Sequence, residues 1–359
     1  MSAERLARIR ARLTERGLDG LVVYANETRR EFVRYVCPSP LAAPYAFGVL
    51  SATGLTLFVE EPWDEQVGAR RGRTASEVAT AVGHALRDLG PRVGLAPAGL
   101  LERGLLDAIQ AAAPHVELVD ATADLVELRL VKDAEELRAH RRAAELADLG
   151  YTAFVRAATP GRRQFEIVAE VEAALLEHGA EDNFMLIGSG GLDVRAMTPP
   201  SSRQIEPGDN VITELTPRVD GYYTQICRTL VVGKAAADQQ RSFEVFKNAA
   251  DAALAMIRPG VTAGDVARAE NDVFRDAGLG EYCGPKFTRV RGHGLGLHFD
   301  ETPAILEDEP LVLQAGMVFI PHPNTYNPWA GYMVFGDAVV VTETGCEVLT
   351  RTPRELFES

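Results

Sequence analysis

Before about residue 125, apolar positions alternate between a helical and a strand rhythm. Leu6, Ile9, Leu13 and Leu18 recur at helical spacing, and Gly17 ends that helix. The apolar run LDGLVVYA (18–25) predicts a buried strand. Residues 45–62 predict two short strands joined near Ala52-Thr53-Gly54. SEVATAVGHALRDLG (76–90) predicts a helix closed by a glycine, and RVGLAPAG (92–99) opens on a further strand. Strands alternating with helices indicate a small α/β domain. No chemical motif falls within it.

The pattern changes near residue 130. KDAEELRAHRRAAELADLGYTAFVRA (132–157) is alanine-rich and helical, with Asp133 as N-cap and Glu136 as its capping partner. Pro160-Gly161 breaks the run, and a second helix spans about 164–178, ending before Gly179. Two more helical stretches, 238–257 and 263–277, are separated by Pro259-Gly260. Residues 183–189, 210–233, 287–299, 316–326 and 331–350 are rich in strand formers. Helix pairs followed by strands, occurring twice, predict an α+β domain with an internal duplication.

Composition bounds the function. A chain of 359 residues is long enough for two domains. With 46% apolar and 25% charged residues it is globular, with a sizeable core. Lys plus Arg number 37 against 51 Asp plus Glu, a formal net charge of −14. No basic stripe offsets that charge, so neither nucleic acid nor an anionic membrane surface is an expected partner. The four cysteines form no CxxC pair, which argues against structural zinc and a disulfide scaffold and fits a reducing cytoplasm. The N-terminus lacks the apolar run of a signal peptide. No apolar stretch approaches the ~20 residues needed to span a bilayer.

Candidate chemistry lies in the second half. In PGDNVITELTPRVDGYYTQICRTLVVG (207–233), Asp220-Gly221 is a two-residue hairpin turn. Pairing outward from it sets Val219 opposite Tyr222 and Glu214 opposite Cys227, so Glu214, Thr216, Gln225 and Cys227 share a face. That face is either the solvent side of an antiparallel sheet or part of a site. In RGHGLGLHFDETP (291–303), His293, His298, Asp300 and Glu301 crowd among glycines that let the backbone approach a ligand or another strand. GMVFIPHPNTYNP (316–328) is an apolar strand delivering His322 between two prolines, which fix its direction.

At these motifs the chain resembles the pita-bread superfamily of creatinase, prolidase, aminopeptidase P and methionine aminopeptidase. LRLVKDAEELRAHRRAAELAD resembles the entry helix of the pita-bread domain. The hairpin segment, GHGLGLHFDETP and AGMVFIPHPNTY resemble the strands that follow it. The resemblance implies a creatinase-like N-terminal α/β domain over 1–127, a duplicated pita-bread domain of the α+β class over 128–359, and a homodimer. Metal-dependent members hold two divalent ions with two aspartates, a histidine and two glutamates. Carried over residue by residue, the aspartates fall on Glu214 and Gln225, the histidine on His293, and the glutamates on His322 and Gly336, next to Asp337. The family's His-Glu pair falls on Asp300 and Glu301. Two divalent ions would thus be undercompensated in charge. RAMTPPSSRQIEPGDNVITELTPRVDGYYTQICRTL resembles creatinase in layout, including Tyr223, but Met197 and Cys227 occupy the places of creatinase's catalytic histidine and hairpin glutamate.

The expectation from these residues is a metal-independent cytoplasmic enzyme hydrolysing a C–N or amide-like bond of a small polar substrate. His293 or His322 would transfer the proton, and Glu301, Asp300 or Glu214 would orient it or activate water. Gln225, His298 and Tyr223 would contact substrate, with His298 substituting for the lost histidine. Arg228 would bind a substrate carboxylate or form a salt bridge behind the hairpin. Cys227 would be a nucleophile, a substrate contact or a small buried filler. Two alternatives stand beside this. One is a mononuclear hydrolase or lyase with a divalent ion on Glu214, His293 and His322. The other is a non-catalytic protein binding a small molecule or another protein.

Overall fold

The computed structural model describes residues 1–38, 40–61 and 68–359. Pro62, the end of the expected 45–62 strand pair, lies outside the described residues. The chain divides into two compact units, Met1–Arg129 and Leu130–Ser359. No helix among the described residues is long and apolar enough to cross a membrane.

The first unit opens with α1 (Ala3–Glu15), capped by Ser2. It continues through β1 (Gly20–Ala25), α2 (Glu31–Val36), β2 (Ala46–Leu50), β3 (Leu55–Glu60), β4 (Arg70–Gly72), α3 (Ala75–Leu86), β5 (Arg92–Ala96), α4 (Arg103–Ala112), β6 (Glu117–Asp120) and α5 (Thr122–Leu130). The strands form one six-stranded sheet in the order β4-β3-β2-β1-β5-β6. The predicted 45–62 pair is the antiparallel ladder of β2 and β3. Val22, Tyr24, Phe47 and Phe58 pack with Val78, Val82, Leu95 and Ile109, so α3 and α4 cover one sheet face. This burial of alternating strand positions against helix stripes is what makes the unit α/β.

The second unit begins with α6 (Ala134–Ala157) and α7 (Gln164–Glu177). The predicted capping box is present: Asp133 accepts from the Glu136 main chain, and Glu136 accepts from Asp133 N at 2.8 Å. Next come β7 (Asp182–Gly190), β8 (Asn210–Val219), β9 (Tyr222–Tyr223) and β10 (Ile226–Val231). A second helix pair, α8 (Ala237–Met256) and α9 (Ala263–Asp276), precedes β11 (Gly292–Gly294), β12 (Glu301–Ala304) and β13 (Val318–Pro321). Then follow β14 (Asn324–Asn327), β15 (Gly331–Val334), β16 (Gly336–Asp337), β17 (Val339–Val341), β18 (Cys346–Val348) and β19 (Phe357–Glu358). One sheet runs β16-β10-β8-β7 and the other β12-β11-β13-β17-β18. The helix pair followed by a sheet occurs twice, as the apolar pattern predicts.

Two strand expectations change. Of 287–299 only Gly292–Gly294 is a strand, because the register shifts between His293 and Gly294 and the chain leaves the ladder. The expected run 331–350 is cut into four, since β15 pairs with β14, β16 with β10, and β17 with β13 and β18. The hairpin keeps its predicted register, with Val219 opposite Tyr222 and Glu214 opposite Cys227. Asp220 (φ 50°) and Gly221 (φ 87°) take the left-handed conformation that a two-residue turn needs.

Candidate active site

Cross-strand pairing builds the floor of the site. Leu186, Glu214 and Cys227 are register partners across β7, β8 and β10, and Phe184 lies opposite Thr216. Alternation along the strands adds Gln225 to that face. Glu214 is only 8% exposed. Burial, then the neighbouring Asp300 carboxylate, raise its pKa to about 7, against the opposing hydrogen bond from Gln225. Gln225 is 2% exposed, and its Oε1 has no partner among the described residues. The face is therefore buried, not the solvent side of a sheet.

Two strands of the other sheet supply the imidazoles. His293 on β11 and His322, just after β13, have ring centroids 5.2 Å apart in a T-shaped arrangement. His293 Nδ1 is 3.0 Å from Gly294 O and 3.9 Å from Asp300 Oδ1. Burial lowers the His293 pKa and Asp300 opposes that. His322 is 7% exposed; its Nδ1 meets Asn324 Nδ2 at 2.7 Å, and its Nε2 has no partner among the described residues. Burial, then the charges on His293 and Arg291, hold His322 well below the ordinary histidine range.

The loop between β11 and β12 closes over this floor. Glu301 Oε1 accepts from His298 N at 2.9 Å, so Glu301 holds the loop. His298 Nδ1 accepts from Asp300 N at 3.2 Å, and its ring stacks on Phe299 with centroids 4.4 Å apart. Phe299 in turn stacks on Phe184 at 4.0 Å and meets the edge of Tyr223 at 6.0 Å. The Tyr223 hydroxyl is tied to Asp182 at 2.9 Å. Tyr223 and His298 thus belong to an aromatic wall.

Glu214, Gln225, His293, Asp300 and His322 come together, with Glu301, His298 and Tyr223 in the loop and wall beside them; Cys227 lies under Glu214 in the floor, and Arg228 does not join them. Arg228 is fully buried on the opposite face of β10, its guanidinium 2.6 Å from Asp337 Oδ1 and 2.8 Å from Gly336 O. The expected substrate-carboxylate contact is corrected to a salt bridge behind the hairpin, since successive strand residues point to opposite faces. Cys227 packs with Ile212, Leu295, Tyr332 and Val334, and burial pushes its thiol pKa well up. Its expected contact with substrate gives way to a buried filler, because a neutral thiol in an apolar cluster is inert. Asn324, Tyr332, Phe184 and Phe299 were not read from the sequence. Asn324 carries the one available signal, standing two residues after His322 on an extended segment.

Residues 138–343 match the model of Metallopeptidase family M24, and residues 5–131 match the Creatinase/Prolidase N-terminal domain. The chain is 33% identical over 233 residues to the Xaa-Pro dipeptidase of Pyrococcus furiosus, covering 64% of this chain and 66% of that protein. It is 26% identical over 357 residues to the Xaa-Pro dipeptidase of Pyrococcus horikoshii, covering 99% of each. The structure of the Xaa-Pro dipeptidase from Bacillus anthracis superposes with a TM-score of 0.86 at 26% identity, over 99% of both chains. The expectation of a metal-independent enzyme is corrected by these matches, because the matching family is one of metallopeptidases.

The side chains present can be tested against the two-ion centre that the resemblance implies. A Cβ on Gly336 would lie 2.5 Å from His322 Cβ and 2.7 Å from Pro321 O, so no ligand side chain fits there. Gln225 brings a neutral amide where an aspartate is implied. Among the described residues, no three His, Cys, Asp or Glu side chains are grouped to hold an ion. This donor set does not fit two divalent ions.

Proposed function

Because the chain belongs to metallopeptidase family M24, we propose that it is a prolidase-like peptidase hydrolysing the C–N bond of a small Xaa-Pro peptide held over the Glu214 face. The observation that carries this reading is the Glu214 carboxylate. It is buried beside Gln225 and Asp300 and raised to about 7, so it exchanges a proton near neutrality. Glu214 takes a proton from the attacking water and returns it to the leaving nitrogen. Asp300 serves it twice, by keeping its pKa high and by standing 3.9 Å from His293. The stacked Phe184 and Phe299, with Tyr223 at their edge, offer apolar ring edges against which the prolyl ring packs.

The test is release of proline from Ala-Pro and Gly-Pro by the purified protein, assayed with and without added Mn²⁺. Turnover should fall as the pH drops below about 7, where Glu214 becomes protonated. Glu214→Gln should lower kcat by ~10²–10⁴-fold while leaving the thermal midpoint near that of the wild type. If neither dipeptide is cleaved under either condition, the prolidase reading fails.

A further inference from the structure

The two facing imidazoles are fixed from behind by different partners, and those partners dictate where each ring carries its proton. The Asn324 Nδ2 that meets His322 Nδ1 at 2.7 Å also lies 2.9 Å from His322 O and 3.3 Å from Val290 O. Carbonyl oxygens only accept, so that end of the amide is the NH₂. At its other end, Asn324 Oδ1 accepts from the Tyr332 hydroxyl at 3.2 Å. An amide nitrogen has no free lone pair to accept, so at 2.7 Å Asn324 donates to His322 Nδ1, its two hydrogens shared among the three acceptors, and the neutral ring keeps its hydrogen on Nε2. That Nε2–H is buried and has no partner among the described residues. His293 is arranged the other way. Its Nδ1 faces Gly294 O at 3.0 Å, and a carbonyl there requires Nδ1–H. The lone pair of His293 is then on Nε2.

We propose that His293 and His322 are locked in opposite tautomers and divide the hydrolytic work. His322 Nε2–H is the donor to the substrate carbonyl oxygen, and His293 Nε2 is the acceptor that orients the water. Asn324 is the positioning residue for His322, with Tyr332 holding the amide. A buried N–H without a partner is costly, so a ligand oxygen there gains a hydrogen bond that the free protein lacks. As the water oxygen bonds to the carbonyl carbon, the C=O π pair moves onto oxygen and the Nε2–H hydrogen bond strengthens. The water proton goes to Glu214. When the C–N bond breaks, the oxygen pair reforms the carbonyl and the Glu214 proton passes to the nitrogen. The tautomers also separate the two rings as ligands. A metal-binding imidazole needs a lone pair on the coordinating nitrogen and donates its other N–H behind it. His293 meets that condition and His322 does not, which takes His322 out of the Glu214, His293 and His322 metal set. The division of labour rests on the peptidase reading; the tautomers do not.

The experiment is a long-range ¹H–¹⁵N correlation spectrum of the ¹⁵N-histidine-labelled wild type at neutral pH, with His322→Gln and His293→Gln assigning the signals. The expected result is an Nε2–H pattern for His322 and an Nδ1–H pattern for His293. An Nδ1–H or imidazolium pattern for His322 overturns the proposal, whether or not any dipeptide is cleaved. So does a shift of His322 Nε2 to a metal-bound position on adding Zn²⁺. Asn324→Asp replaces the donor with an acceptor and should turn His322 to Nδ1–H. With Ala-Pro it should then lower kcat ~10²–10³-fold with KM little changed. A turned ring with wild-type kcat overturns the donor role. The wild-type spectrum needs no variant to fold, so it decides the tautomers by itself.

Discussion

Glu270 and His140 are both fully buried, and the same desolvation acts on them in opposite senses. His140 is held well below the ordinary histidine range by burial and by Lys132, and its Nε2 has no partner among the described residues. Glu270 is pushed well above the ordinary carboxylate range by burial, against the pull of Arg291, and neither of its oxygens has a partner among the described residues. In the unfolded chain His140 takes up a proton through ~6.5, which the folded state resists. Its contribution to stability is therefore present above that value and lost as the pH falls. Glu270 runs the other way: its contribution is present below ~4.3 and lost as the pH rises toward its folded pKa. Urea titrations should show the penalty of His140→Gln shrinking from about pH 8 to about pH 5. Over the same range the benefit of Glu270→Gln should be larger at the alkaline end. Parallel curves for variant and wild type would remove either assignment.

At the scale of elements, β10 separates chemistry from support. One face carries Cys227, and with it Gln225 just before the strand, toward the Glu214 side. The other sends Arg228 to Asp337, which also accepts from Thr350 at 2.7 Å and from Arg354 at 3.0 Å. Arg354 lies 2.5 Å from Asp251, which joins α8 to β16. Arg228 and Asp337 are 0% and 2% exposed, so removing one partner strands a buried charge. Arg228→Ala should cost ~3–5 kcal/mol in urea unfolding, whereas the double variant Arg228→Met with Asp337→Leu should recover part of that loss. An Arg228→Ala protein of wild-type stability would show that the network is not structural. The split of 331–350 has the same origin. Its alternation predicts strand, but only pairing with β10 on one side and β13 on the other decides where one sheet yields to the next.

For the whole molecule, membership of a metallopeptidase family and the side chains at hand set a limit on metal content. Gly336 has no room for a ligand and Gln225 brings no charge, so elemental analysis should find fewer than two equivalents of divalent metal per chain. Two tightly bound equivalents would show that the second sheet rearranges around His322. Periodicity along the chain was enough to determine the α/β start, the helix pairs, the capping box at Asp133 and the hairpin register, because each is written in neighbours a few residues apart. The candidate residues Glu214, Gln225, His293, Asp300 and His322 were legible as chemical types at strand positions. Their environment was not. Burial turned Glu214 into a group titrating at about 7, the opposite strand face took Arg228 into a salt bridge, and an apolar cluster silenced Cys227. The aromatic wall and the Asn324 and Tyr332 supports join residues far apart in the chain. Which carboxylate loses its water, and which nitrogen of an imidazole meets a donor, depends on atoms brought by other strands. Those contacts exist only once both sheets are folded.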